Sequence, residues 1–236
     1  MIKLNEQPET KQFLDYLSDW YQNLPAGNLE QLLQQPEKAA ILSVDVLKGF
    51  CSVGPLSSPR VGKIVQPIVT LMSRAWDLGL RHIILNQDTH EPDAVEFNSW
   101  PPHCVRGTEE AETVSEIHAL PFFKKMIIFE KNSIASGMSP ALNQWLLAHH
   151  EVETFIVVGD CTDLCTYQLA MWLRLEADAN QKQRLVVVPE DCVQTYHLST
   201  QEALAIGAAP HPGDFTHLVF LNHMVLNGIK VVASLE

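Results

Sequence analysis

Apolar positions along the chain alternate between two patterns: short continuous runs, and longer stretches with apolar residues three and four apart. The runs read as strands buried on both faces, the spaced stretches as amphipathic helices. The strand candidates are Ala39–Asp45, His82–Gln87, Met126–Phe129, Thr154–Val158, Leu185–Val188 and Ile229–Val232. Between them, Val61, Ile64, Val65, Ile68, Leu71, Met72 and Trp76 recur at helical spacing, and Gly79 closes that helix. Further helices are expected over Ala141–His149, Thr162–Asp178, Thr200–Ile206 and Phe215–Leu226. Strands alternating with helices predict a three-layer α/β domain with a mostly parallel, roughly six-stranded, Rossmann-like sheet.

Two segments precede the first strand. Glu9–Asn23 places Phe13, Leu14, Leu17, Trp20 and Tyr21 on one side of a helix, and Asn28 is placed to cap a short second helix carrying Leu29, Leu32 and Leu33. Residues 1–38 are therefore expected to form a helical extension, packed on the domain of residues 39–236 or on a second copy in a homo-oligomer.

Composition narrows the function. A formal net charge of -12 disfavours coating a nucleic acid, which needs clustered Lys and Arg. No apolar run approaches the roughly 18 residues of a membrane span, and the N-terminus carries no signal-peptide pattern. Five cysteines without secreted spacing fit free thiols in a reducing cytoplasm.

In parallel sheets, ligands bind beyond the carboxyl ends of the strands. Asp45 closes the first strand, Asp88 and His90 follow the second, Lys131 follows the third, Cys165 lies after the fourth, and Asp191 and Cys192 follow the fifth. All are expected on one rim. Cys165 falls at a helix mouth, where unpaired N–H groups favour a thiolate and can hold an oxyanion. Asp45 supplies a base and Lys131 a charge partner, which makes a chemically sensible triad. Asp88-Thr89-His90, with His103 further on, offers a facial set of nitrogen and oxygen ligands suited to Zn, Fe, Mn or Ni. Glu96 is an outer candidate, and Cys104 reads better as a packing residue than as a ligand.

Four segments together resemble the isochorismatase-like cysteine hydrolases, and within them the nicotinamidases. They are Ile41–Asp45 with Phe50, Asp88–His90 with Trp100–Thr108, Phe129–Ser133, and Gly159–Cys165. The resemblance covers about Ala39 to Val232. It implies an amidohydrolase, acting on nicotinamide or on another small amide, ureido or carbamoyl compound. It implies Asp45 as general base, Lys131 as electrostatic partner and Cys165 as nucleophile. A cis peptide is expected between Asp160 and Cys161, with the N–H groups of Cys161 and Cys165 as the oxyanion hole. Asp88, His90 and His103 would hold a divalent metal, zinc first, and Phe50 and Trp100 would flank the substrate ring. Nicotinamidases commonly place Trp where Thr89 stands, with another His soon after, an aromatic where Ile134–Gly137 stands, and Val where Thr166 stands. These departures fall in the pocket and leave the triad and ligands intact. A non-catalytic metal-binding module of the same fold is the other reading.

Overall fold

A computed structural model describes residues 3–236. The elements are α1 (Pro8–Gln22), α2 (Leu29–Leu32), β1 (Ala39–Val44), α3 (Lys48–Cys51), α4 (Pro59–Gly62), α5 (Val65–Asp77), β2 (His82–Asp88), α6 (Ser115–His118), β3 (Ile127–Lys131), α7 (Pro140–Ala148), β4 (Thr154–Asp160), α8 (Cys165–Ala179), β5 (Leu185–Pro189), β6 (Val193–Gln194), α9 (Thr200–Ile206), α10 (Gly213–Leu226) and β7 (Lys230–Val232).

The sheet has seven strands in the order β3-β2-β1-β4-β5-β7, with β6 paired to the end of β4. Every strand pairing is parallel. Six strands match the apolar runs; β6 is the addition. With two residues it is too short to leave a hydrophobic pattern, and it forms where Val193 and Gln194 meet Gly159 and Asp160.

Alternation along the strands sorts their side chains into two cores. Ile41, Ile83, Leu85, Ile156 and Val187 face α5, packing on Ile68, Leu71 and Met72. Leu42, Ile84, Phe155, Val157 and Val186 face α7, α8 and α10, packing on Leu142, Leu169, Leu173, Leu221 and Met224. This is the expected three-layer arrangement. The helix expected over Val61–Trp76 is two pieces, with Lys63 and Ile64 between α4 and α5. Ser58 caps the first piece, accepting from Arg60 N–H at 3.3 Å.

The N-terminal segment lies against the same domain. Trp20, Tyr21 and Leu24 pack on the core beneath α10. Residues 25–29 then run beside the C-terminus: Ala233 N–H donates to Pro25 O at 2.9 Å, Gly27 N–H to Ser234 O at 2.8 Å and Leu29 N–H to Glu236 O at 2.8 Å. Asn28 caps α2, accepting from Gln31 N–H at 2.7 Å. Among the described residues no helix is long and apolar enough to cross a membrane.

Candidate active site

The strand order reverses at β1. From there the chain builds β2 and β3 on one side, then crosses to β4 on the other. Loops leaving β1 and β4 diverge at such a point and open a crevice at the carboxyl end of the sheet. Asp45 leaves β1 there with φ 54°, a backbone region that disfavours side chains with a Cβ. Asp88 ends β2, Lys131 ends β3 and Cys165 begins α8.

Lys131 Nζ lies 2.7 Å from Asp45 Oδ2 and 2.5 Å from Asp88 Oδ1. Asp45 Oδ1 accepts the backbone N–H of Asp88 at 2.8 Å. A carboxylate oxygen of Asp45, one of Asp88 and Cys165 Sγ all lie within 4.8 Å of one another. The four side chains are buried, Cys165 at 7 % exposure and Asp45 at 1 %.

Charge in this space is set by competition. Burial raises Asp45, the Asp88 charge raises it further and Lys131 pulls it back, leaving it at about 6. Burial opposes ionisation of Asp88 too, but the Lys131 charge holds it well below the usual carboxylate range. Burial works against the Lys131 ammonium, yet Asp45 and Asp88 keep it charged. Burial pushes the Cys165 thiol well up, and Lys131 offsets only part of that. Desolvation thus opposes the thiolate that a helix mouth favours, which gives Asp45 a proton to take. Asp160, buried beside them, is raised by the same burial and by the Asp45 charge.

The turn before α8 has a cis peptide between Asp160 and Cys161. Gly159 precedes it with φ 116°, and a Cβ there would sit 2.0 Å from Val44 O, so only glycine fits. The helix begins at Cys165, three residues later than the apolar pattern implies, because Leu164 N–H and Thr166 N–H both turn back to Cys161 O, at 3.0 and 3.2 Å. Thr162 N–H donates to Gln194 O at 3.0 Å. Among the described residues, the N–H groups of Cys161 and Cys165 make no such turn bond. The Asp163 and Tyr167 N–H groups make none either, so this helix start carries several donors free of turn bonds.

Asp88 also faces the histidines: its Oδ2 is 3.7 Å from His90 Nε2 and 3.8 Å from His103 Nε2. The three donor atoms lie within 4.8 Å of one another. His90 Nδ1–H donates to Asn132 Oδ1 at 2.7 Å and His103 Nδ1–H to Pro101 O at 2.8 Å. Fixing the proton on Nδ1 leaves each Nε2 lone pair toward Asp88. His90 Nε2 is buried with no hydrogen-bond partner. The trio thus has the donor chemistry and the vacant lone pairs of a divalent-metal site.

The remaining expected residues separate. Phe50 is buried and its ring lies 5.6 Å from that of His103. Trp100 is half-buried, its backbone N–H donating to Glu96 O at 3.1 Å. Glu96 is outside the close ligand trio and reaches His90 through its charge. Cys104 is fully buried, and its N–H donates to Glu110 Oε2 at 3.2 Å, consistent with a packing role. Asp191 and Cys192 do not join the rim chemistry: Cys192 belongs to the core facing α5, and Asp191 N–H ties to Ala233 O at 3.1 Å.

Two residues were missed from sequence. Phe97 sits 5.3 Å from the His90 ring and 5.7 Å from that of His103. Asn132 orients His90. The adjacency of Asn132 to Lys131 was the available signal; Phe97 stands in a single 3-10 turn, Val95–Asn98, too short to leave a pattern.

Comparisons with known proteins bear on the family and the fold. The family model described as "Isochorismatase domain" matches residues 39–214. Nicotinamidase 1 of Arabidopsis thaliana is 27% identical over 235 residues, covering 90% of this chain and 93% of that protein. The crystal structure of pyrazinamidase of Pyrococcus horikoshii in complex with zinc superposes with TM-score 0.63 at 22% identity, covering 83% of this chain and 98% of that one. N-carbamoylsarcosine amidase from Thermoplasma acidophilum superposes with TM-score 0.63 at 24% identity, covering 84% and 98%. The family-model match over residues 39–214, with the full-length similarity to a nicotinamidase, places the chain in the isochorismatase family, as an amidohydrolase.

Proposed function

We propose that the enzyme hydrolyses nicotinamide to nicotinate and ammonia through a thioester on Cys165. The observation that carries this reading is the Cys165 thiol within 4.8 Å of the Asp45 and Asp88 carboxylates, around the Lys131 ammonium. Its similarity to nicotinamidases supports the choice of amide.

With a value of about 6, Asp45 is a carboxylate at neutral pH. It takes the proton from Cys165 as sulfur bonds to the carboxamide carbon. The carbonyl π pair moves to oxygen, which accepts from the Cys161 and Cys165 N–H groups. Collapse breaks the C–N bond, and Asp45 gives its proton to the departing nitrogen, releasing ammonia. Asp45 then takes a proton from water as that water attacks the thioester. The acid leaves and the proton returns to sulfur. Lys131 stays charged throughout and offsets the negative charge that passes between Asp45, sulfur and oxygen.

Asp88, His90 and His103 are assigned to a divalent metal, zinc first, with iron, manganese or nickel as alternatives. The buried, unpartnered His90 Nε2 supports the assignment. When bound, the metal would supply a Lewis-acid point that orients a donor atom of the substrate, such as a pyridine nitrogen. Phe50 and Trp100 are assigned to the substrate ring, and Phe97 joins them through its contact with both histidines.

Ammonia release from a panel of small amides, with and without a chelator, tests the reading. Nicotinamide should be the best substrate, and Cys165→Ala should abolish its turnover. Turnover that survives Cys165→Ala removes the nucleophile; an inert nicotinamide beside an active ureido or carbamoyl compound replaces the substrate.

A further inference from the structure

The family match begins at residue 39, so it leaves the N-terminal extension without a role. One polar path, half-buried at Tyr21 and Glu190 and fully buried at His217 and Thr162, joins that extension to the Cys165 turn. Tyr21 O–H, on α1, donates to Glu190 Oε1 at 2.5 Å. His217 Nε2–H, on α10, donates to the same oxygen at 3.2 Å. With its proton on Nε2, His217 accepts at Nδ1 from Thr162 Oγ1–H at 2.8 Å. Thr162 directly follows Cys161, whose N–H is one of the two oxyanion donors. His217 is 2 % exposed and Thr162 0 %, so neither can turn to water instead.

The charges along the path agree with its direction. Burial opposes ionisation of Glu190, but His217 and Tyr21 hold it below the usual carboxylate value. Burial and Glu190 together push the Tyr21 phenol up. Glu190 is thus an ionised acceptor of two donors, and a carboxylate so held fixes the ring of His217. The opposite side of the turn is pinned separately. Arg60 Nη2 donates to Gln194 Oε1 at 3.1 Å, and Gln194 O accepts from Thr162 N–H at 3.0 Å. Thr162 is therefore fixed at its backbone by β6 and at its hydroxyl by the path from α1. Hydrophobic contact of α1 with the core accounts for docking of the helix, but not for a phenol aimed at Glu190.

We propose that the N-terminal extension is a positioning element for catalysis: Tyr21, through Glu190 and His217, holds Thr162 and so aims the Cys161 N–H at the oxyanion. This rests on the proposed amide hydrolysis for its kinetic readout but not for its structural one. All four are positioning residues, since none reaches the reacting atoms.

The test compares Tyr21→Phe, His217→Asn, His217→Gln, Thr162→Val and Thr162→Ser, with Phe13→Ser on the exposed side of α1 as control. Tyr21→Phe should lower kcat for nicotinamide about three- to ten-fold with KM unchanged, the scale of the net contribution of one ordinary hydrogen bond felt at a distance. Asn at 217 keeps a group near Nδ1 and Gln keeps one near Nε2. His217→Asn should therefore retain more activity than His217→Gln. Thr162→Ser should restore what Thr162→Val loses. Hydrogen exchange of the 159–168 segment should rise in Tyr21→Phe and Thr162→Val while β1 exchange stays at the wild-type level. If Tyr21→Phe and Thr162→Val both match wild type in kcat and in exchange of 159–168, the inference is overturned. It is equally overturned if exchange rises evenly across the domain, which marks a merely structural helix. Should wild type leave nicotinamide intact, the proposed substrate fails, and the exchange pattern still decides the role of the extension.

Discussion

Asp88 and Lys131 are joined at 2.5 Å, and through that contact the Asp45–Lys131–Cys165 group, proposed as the catalytic triad, meets the histidine cluster. One Asp88 oxygen faces the ammonium and the other faces His90 and His103. Lys131 is the cation that lets Asp45 and Asp88 both approach as carboxylates. Lys131→Met should lower stability by about 3–5 kcal/mol in denaturant unfolding, because it leaves buried charge uncompensated. It should also abolish amide turnover. A variant as stable as wild type would show that the carboxylates simply take up protons.

The histidine cluster is oriented from behind. Asn132 Oδ1 holds the proton on His90 Nδ1 at 2.7 Å. Asn132→Ala should weaken metal affinity about 10- to 100-fold, the usual effect of losing such an outer partner. Zinc titration of chelator-stripped protein measures this without any assay of activity. Asn132→Asp keeps an acceptor at the same place and should bind metal more like wild type.

Gly159 is the tightest backbone approach near the nucleophile. An alanine there places its Cβ 2.0 Å from Val44 O at φ 116°. Nothing flexible can give way, since Val44 and Gly159 are paired across β1 and β4. Gly159→Ala should cost about 4 kcal/mol or more, read as a lowered unfolding midpoint or failure to fold. Gly207→Ala meets nothing within 4 Å, though at φ 72°, and should cost only the smaller strain of its backbone conformation.

His211 binds the same turn from the outside. Its Nε2 lies 2.8 Å from Asp163 Oδ2, and Nδ1 lies 2.9 Å from Tyr196 O. Burial lowers its affinity for a proton, but Asp163 and the carbonyl more than compensate, and the folded value is raised above 6.5. The folded state therefore binds this proton more tightly than the unfolded chain does. The stabilisation is complete below the ordinary histidine value and is lost as pH rises through the folded one. Thermal unfolding should show His211→Ala losing more stability at pH 5.5 than at pH 8.5. An equal loss at both would mean the ion pair contributes nothing.

Local patterning determined much of this protein. The double-sided burial of Ile41, Ile83, Ile156 and Val187 on one face, with Leu42, Ile84, Val157 and Val186 on the other, is written as continuous apolar runs. Those runs required a parallel sheet covered by helices, and the sheet required its polar strand ends to meet at one rim. Asp45, Asp88, Lys131 and Cys165 could be named for that reason. Burial periodicity does not carry the strength of desolvation, so the upward push on the Cys165 thiol is visible only in the fold. Nor does it carry contacts between distant loops. Two-residue β6, Phe97 beside the histidines, Asn132 behind His90, and Tyr21 on Glu190, 169 residues away, exist only because the fold brings those segments together. The sequence determined which groups stand at the rim; the tertiary structure decided how deeply each is buried and which partner fixes its proton, since both depend on neighbours remote along the chain.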